Sequence, residues 1–122
     1  MAGKKKNKKE TLSDAALEIV ALRFKCLSDP TRLKLIQALF DGERTVQDLC
    51  NATKLSQANV SKHLSMLNDQ GVLRRRKQGL FVYYSIADKT IYQLCDLVCT
   101  SLAERFARAK QEVTGSANKK GK

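Results

Sequence analysis

Apolar residues recur at helical spacing as far as residue 71 and alternate with polar ones just beyond it. Over 13–27, Leu17, Val20, Phe24 and Leu27 form one stripe, and Ile19 and Cys26 lie seven apart on a second face. Two apolar faces on a terminal helix exceed what one small core needs and point to a partner. Asp14 puts negative charge in the first turn, where the helix dipole favours it. Ser28-Asp29-Pro30 opens a second helix, because proline suits the first helical position. Leu33, Ile36, Ala38, Leu39 and Phe40 are its expected buried side, and Asp41-Gly42 its end. A short third helix is predicted over 45–52, capped by Thr45, with Val46, Leu49 and Cys50 inward. Thr53-Lys54-Leu55 then reads as a tight link with its leucine buried.

The next segment, 55–73, has a start, a stop and a divided surface. Ser56 can cap a helix through its hydroxyl, and Gly71 can end it in a left-handed conformation. Val60, Leu64 and Leu67 make one apolar face. The opposite face is Gln57, Asn59, Ser61, Lys62 and His63, with no acidic group among them. Amides read adenine edges, hydroxyls read either edge and lysine reads guanine or phosphate, so this front suits the major groove of DNA. Short helices, a tight turn and a polar-fronted second helix make a helix-turn-helix.

Beyond Gly71 the period changes to two. Residues 72–77 and 80–86 are extended in character, and Gln78-Gly79 reads as the hairpin turn between them. In the second strand Phe81, Tyr83 and Ser85 point one way, and Val82, Tyr84 and Ile86 the other. The first strand carries Arg74, Arg75, Arg76 and Lys77. Four adjacent cations repel one another in an isolated hairpin, but become favourable against a phosphate backbone. A last helix follows, capped by Asp88 and running to about residue 110. Its stripe is Ile91, Leu94, Cys95, Val98, Leu102 and Phe106, widened by Leu97 and Cys99. The first and last helices both carry surplus apolar surface, which a two-fold dimer would cover.

Charge sharpens this picture. The net charge is +11, but Lys4, Lys5, Lys6, Lys8, Lys9, Lys119, Lys120 and Lys122 lie in the two ends, and residues 11–115 hold 15 basic and 11 acidic side chains. Residues 1–12 and 111–122 are expected to be basic disordered tails, because lysine runs without apolar residues cannot offset the entropy of ordering. Residues 13–110 are then the DNA-binding and dimerisation domain. The lysines that open the chain precede no apolar segment, so a secretory signal is not expected and the cytoplasm is the expected compartment. No apolar run approaches membrane-spanning length. The four cysteines, Cys26, Cys50, Cys95 and Cys99, are therefore expected as reduced thiols. With no CxxC and His63 as the one histidine, a zinc finger is not expected, and neither is a cofactor.

The pieces LSDPTRLKLIQAL at 27–39, VQDL at 46–49 and LSQANVSKHLSMLNDQGVLRRRKQGLFVYYSI at 55–86, followed by a helix opening with Asp88, resemble the ArsR/SmtB family of bacterial winged-helix repressors over roughly residues 13–110. The resemblance implies a fold that is mainly α with a small β-hairpin, a winged helix-turn-helix in the order of four helices, two strands and a fifth helix. It implies a homodimer through the first and last helices, and a double-stranded DNA operator released by an inducer. It assigns DNA contacts to Gln57, Asn59, Ser61, Lys62 and His63, with Ser56 at the helix start, and to the wing at Arg74, Arg75, Arg76 and Lys77.

Two departures bear on the inducer. The family's arsenic and cadmium sensors carry Cys-Val-Cys ahead of the third helix's Asp-Leu, where this chain has Thr45-Val46-Gln47. Its zinc and nickel sensors use histidines that are absent beside Asp88 and Glu104; Asp88 is expected as a cap and Glu104 as a surface charge. No metal site is therefore expected there. The thiols remain. Some members sense persulfide, sulfane sulfur or oxidants through cysteines, which makes Cys50, Cys95, Cys99 and Cys26 candidate sensors. A soft metal or metalloid inducer and a non-specific architectural DNA-binding role are the alternatives. An enzyme is not expected, since there is no phosphate loop, nucleophile elbow or acid–base pair.

Overall fold

The structure is a computed structural model that describes residues 11–114, with side chains described as far as residue 111; nearly all of both basic ends lies outside the described residues. The chain divides into two compact units, residues 1–87 and 88–122. The first contains helices α1 (Asp14–Leu27) and α2 (Pro30–Ala38), strand β1 (Arg44–Thr45), helices α3 (Val46–Thr53) and α4 (Gln57–Asp69), and strands β2 (Leu73–Gln78) and β3 (Phe81–Ile86). The second contains α5 (Thr90–Thr114). No described helix is long and apolar enough to cross a membrane.

The helix starts follow from their caps. Ser13 accepts from the Ala16 amide at α1, and the Asp29 carboxylate accepts from the Thr31 and Arg32 amides ahead of α2. Thr45 and Asp48 exchange side-chain and backbone bonds as a capping box on α3. Lys54 ends α3 in a left-handed conformation, φ 64°. At the end of α4, Gly71 has φ +77°; the Val72 amide donates to Leu67 and the Gly71 amide to Asn68, the paired bonds of a Schellman ending.

One core lies among α2, α3, α4 and the sheet. Leu35, Ile36, Leu49, Val60, Leu64, Leu67 and Val72 are fully buried, joined by Leu39, Leu73, Tyr84 and Ile86. Each such side chain contributes about 1.5–3 kcal/mol relative to exposure. On α2 the centre of the buried face is Leu35, Ile36 and Leu39, whereas Leu33 and Phe40, expected inside, stand 42% and 37% exposed. At 100° per residue, positions 33 and 40 nearly coincide at the margin of that face, and Leu39 falls near its middle. Leu55 and Cys50 are half-buried rather than inward.

The sheet is antiparallel, in the order β1-β3-β2. The two-residue β1 was not foreseen; Arg44 pairs with Tyr84 and Thr45 with Tyr83, turning the expected hairpin into three strands. Gln78 pairs with Phe81, so the turn is Gly79-Leu80, one residue later than expected. Gly79 takes φ +62°, which supplies the positive φ such a short loop requires. Alternation along β3 is as expected: Tyr84 and Ile86 are buried and Phe81 is exposed.

The terminal helices behave differently. On α1 only Cys26 and Leu27 are buried, while Leu17, Ile19, Val20, Leu22 and Phe24 are 39–70% exposed. Cys26 and Ile19 therefore do not share an exposed face. On α5, Leu97, Val98, Leu102 and Phe106 are exposed. Asp88 accepts from the Thr90 amide, which bears out its capping role.

Candidate nucleic-acid interface

The α4 helix is seated by its back and free at its front. Val60, Leu64 and Leu67 are 0% exposed, whereas Gln57, Asn59, Ser61 and Lys62 are exposed. Ser56 is exposed too, but its hydroxyl accepts from the Asn59 amide, so it serves first as the cap. His63 is half-buried, at the edge of the front. Its Nδ1 lies 3.3 Å from an Arg32 guanidinium nitrogen. Accepting that bond places the ring proton on Nε2, which leaves a donor on the other side of the ring.

Arg32 was not singled out in the sequence, yet it connects three elements. Its Nε donates to the Cys26 carbonyl at 2.6 Å and another nitrogen to the Lys25 carbonyl at 3.1 Å, the latter shared with the Ser28 amide and hydroxyl at the end of α1. It also forms an ion pair with Asp29 at 3.8 Å. The Arg32 amide, followed by that of Thr31, stabilises the Asp29 carboxylate and holds it below the ordinary carboxylate range. Arg23 makes a second link from α1 to α4, donating to the Gln70 carbonyl at 2.9 Å. The α4 helix is thus tied to α1 at its middle through Arg32 and at its end through Arg23.

The wing is β2, β3 and their turn. Arg74, Arg75, Arg76 and Lys77 are all exposed, but they are not equivalent. Arg76 forks onto Glu43 at 2.8 and 2.9 Å, donates to Gln78 and lies 4.5 Å over the Tyr83 ring. The hydrogen bond from Arg76 holds the Glu43 carboxyl below its usual range and pushes the Arg76 guanidinium up. Leu80 at the tip is 96% exposed.

The four cysteines are free. Cys26 is buried, and burial pushes its thiol up against the opposing pull of Arg32 and Arg23. Cys95 is half-buried, and burial, followed by neighbouring Cys99, pushes its thiol up as well. Cys50 is half-buried on α3 and Cys99 exposed on α5. Among the described residues, no three His, Cys, Asp or Glu side chains cluster as a metal site would require.

A helix-turn-helix with a polar-fronted second helix and a basic hairpin beside it defines the winged helix-turn-helix class of DNA-binding modules. Residues 29–75 match the family model described as bacterial regulatory protein, arsR family. The chain is 38% identical to the transcriptional repressor SmtB homolog of Synechocystis over 78% of its length and 72% of that protein's. It is 42% identical to the cadmium resistance transcriptional regulatory protein CadC homolog of Staphylococcus aureus, over 63% of this chain and 64% of that one. The matched stretch thus spans about two thirds of these relatives. In structure it is similar to a homodimeric winged helix-turn-helix DNA-binding domain from Mycobacterium bovis, with a TM-score of 0.68, 32% identity, and coverage of 78% of this chain and 91% of that one. The chain belongs to the ArsR family.

Proposed function

We propose that this chain is a homodimeric, sequence-specific repressor that binds a double-stranded operator through α4 and the wing, and leaves it when an inducer acts on its cysteines. The observation that carries the DNA reading is the split of α4: a back with no exposed atoms and a front of amides, hydroxyls and a lysine held toward solvent. A rigidly seated helix can present base-reading groups in fixed register. Arg74, Arg75 and Lys77 supply positive charge beside it for phosphate. The exposed apolar residues of α1 and α5 support dimerisation, as does the homodimer named for the Mycobacterium bovis domain.

Release through sulfur species or oxidants rests on the free thiols, of which Cys99 is exposed and Cys50 and Cys95 are half-buried. Cys95 and Cys99 are one turn apart on α5, where Cβ atoms sit about 5–6 Å from each other, against about 3.5–4.5 Å in a disulfide. Joining them directly is disfavoured; added sulfur atoms, or a bond to another helix, would be required. Release by a soft metal is the second reading, favoured by the cadmium-resistance relative.

The test is a gel shift on the duplex upstream of the chain's own gene, with polysulfide, peroxide and cadmium in separate arms. Gln57→Ala should reduce preference for that duplex over a scrambled one by ~1–3 kcal/mol, whereas neutralising Arg75 should weaken binding to both and flatten the salt dependence. Cys50→Ser or Cys99→Ser should preserve binding and block release by the sulfur species or oxidant. A variant lacking all four cysteines that still responds would refute thiol sensing.

A further inference from the structure

The four wing cations look interchangeable in sequence, but among the described residues only Arg76 is held by side-chain partners. Its Nε and one terminal nitrogen grip both oxygens of Glu43, its other terminal nitrogen meets Gln78, and one flat face covers Tyr83. Arg74, Arg75 and Lys77 carry no such ion pair among the described residues. Glu43 immediately precedes β1, and β1 runs directly into the capping box that starts α3. In the strand order β1-β3-β2 the two outer strands do not touch, so the Glu43–Arg76 pair reaches across β3, over the Tyr83 face, to join them. The backbone alone anchors the wing to β1 through only two residue pairs, Arg44 with Tyr84 and Thr45 with Tyr83. A two-stranded hairpin has little stability of its own, so a side-chain bond from β2 to the start of β1 changes how firmly the wing is held.

We propose that the Glu43–Arg76 pair is a strut that sets the wing's angle on the helix-turn-helix, making Arg76 a positioning residue and leaving phosphate contact to its neighbours. The inference rests on the DNA-binding reading above and assigns to Glu43 a role in it. A carboxylate close to a DNA-binding surface ordinarily opposes binding, because it repels phosphate. A strut reverses that sign. Without Glu43 the wing must be ordered as DNA binds, and the cost appears as lost affinity. Lysine cannot replace the arginine fork, since it is a single point charge and makes no bidentate pair.

The experiment uses the full chain with the best duplex that the wild-type protein selects from a random-sequence library, a scrambled control, and two salt concentrations. Amide hydrogen exchange across residues 73–86 is followed in the free protein. Glu43→Gln adds net positive charge, yet it should weaken binding to the selected duplex about threefold or more, the scale of an exposed pair with bidentate geometry. Arg76→Lys keeps the charge and should weaken binding to the same degree. Both variants should speed exchange in the wing and leave exchange in α4 unchanged. If Glu43→Gln instead tightens binding to both duplexes and steepens the salt dependence, Arg76 is a phosphate ligand that Glu43 restrains, and the strut is overturned. Unchanged wing exchange in both variants overturns it equally. Should the wild-type protein select no duplex, the DNA reading itself fails, and the exchange measurement alone decides the strut.

Discussion

Helices α4 and α5 both carry apolar side chains at helical spacing, but Val60, Leu64 and Leu67 of α4 are 0% exposed while Leu97, Val98, Leu102 and Phe106 of α5 are 44–68% exposed. The sequences of the two stripes do not differ enough to account for this. What differs is the supply of neighbours. Among the described residues, the α4 helix finds α2, α3 and the sheet within its own unit, whereas α5 is the one element of the unit that contains it. Helical spacing identifies a face that must be covered; it does not identify what covers it.

The largest effect that tests this contrast is on the closed core. Leu64→Ala should lower unfolding free energy by ~2–5 kcal/mol, read from the urea midpoint, because the site is fully packed. Leu97→Ala should leave that midpoint nearly unchanged at low protein concentration. Equal losses would show that α5 is as fully covered within one chain as α4.

Next in size, Val98→Asp should give monomers by sedimentation, because an unpaired carboxylate in an apolar interface is costly. Its operator affinity should fall more than about tenfold, since two half-sites are no longer joined. An intact dimer in this variant would exclude the α5 face from the interface.

Arg32→Ala should cost ~1–3 kcal/mol in the urea midpoint, because the part-buried Cys26 carbonyl at the end of α1 loses the Arg32 donor. It should also weaken DNA binding, since His63 loses its neighbour. Removal without effect on either measurement would make the α1–α4 link incidental.

The acid limb of stability gives a finer test. The Asp29 carboxyl is held low in the folded chain by the Arg32 and Thr31 amides, so its contribution is present at neutral pH. It is lost as pH falls through and below the ordinary carboxylate range of about 4. Asp29→Asn should therefore flatten the loss of stability on acidification; an unchanged acid limb would place the titrating groups elsewhere.

The smallest expected effect is at Lys54, whose left-handed φ of 64° glycine would adopt without a Cβ penalty. Lys54→Gly should change stability by no more than about 1 kcal/mol, with relief of strain opposed by a more flexible unfolded chain. A large loss would mean that the Lys54 side chain, not its backbone, matters to the turn.

What could be read in the sequence was local. The Ser56 cap, the Gly71 stop and the apolar back of α4 are encoded within one helix, and the alternation of β3 within one strand. The features that went unread join residues distant in the chain. Glu43 and Arg76 are 33 positions apart, and Arg32 and His63 are 31 apart. No periodicity relates such pairs, and an arginine looks the same whether it meets a carboxylate or solvent. Two residues, Arg44 and Thr45, are too few to show a period, so β1 becomes visible only once β3 lies beside it. The turn was displaced by one residue because Gly79 fits a two-residue loop in either register. On α2 a helical stripe through Leu33 and Phe40 runs along the edge of the true face and leaves out Leu35, which is buried.

The stacking of Arg76 on Tyr83 also gives the wing an optical signature. The chain has no tryptophan and three tyrosines, so its intrinsic ultraviolet emission comes from three phenol rings. One of them lies directly beneath the guanidinium, 4.5 Å away, and its neighbour along β3, Tyr84, is buried. Lifting Arg76 exposes the Tyr83 ring to water and removes a cation from its face. The attitude of the wing can thus be followed by fluorescence in the unlabelled protein, with Tyr83→Phe as the silent reference.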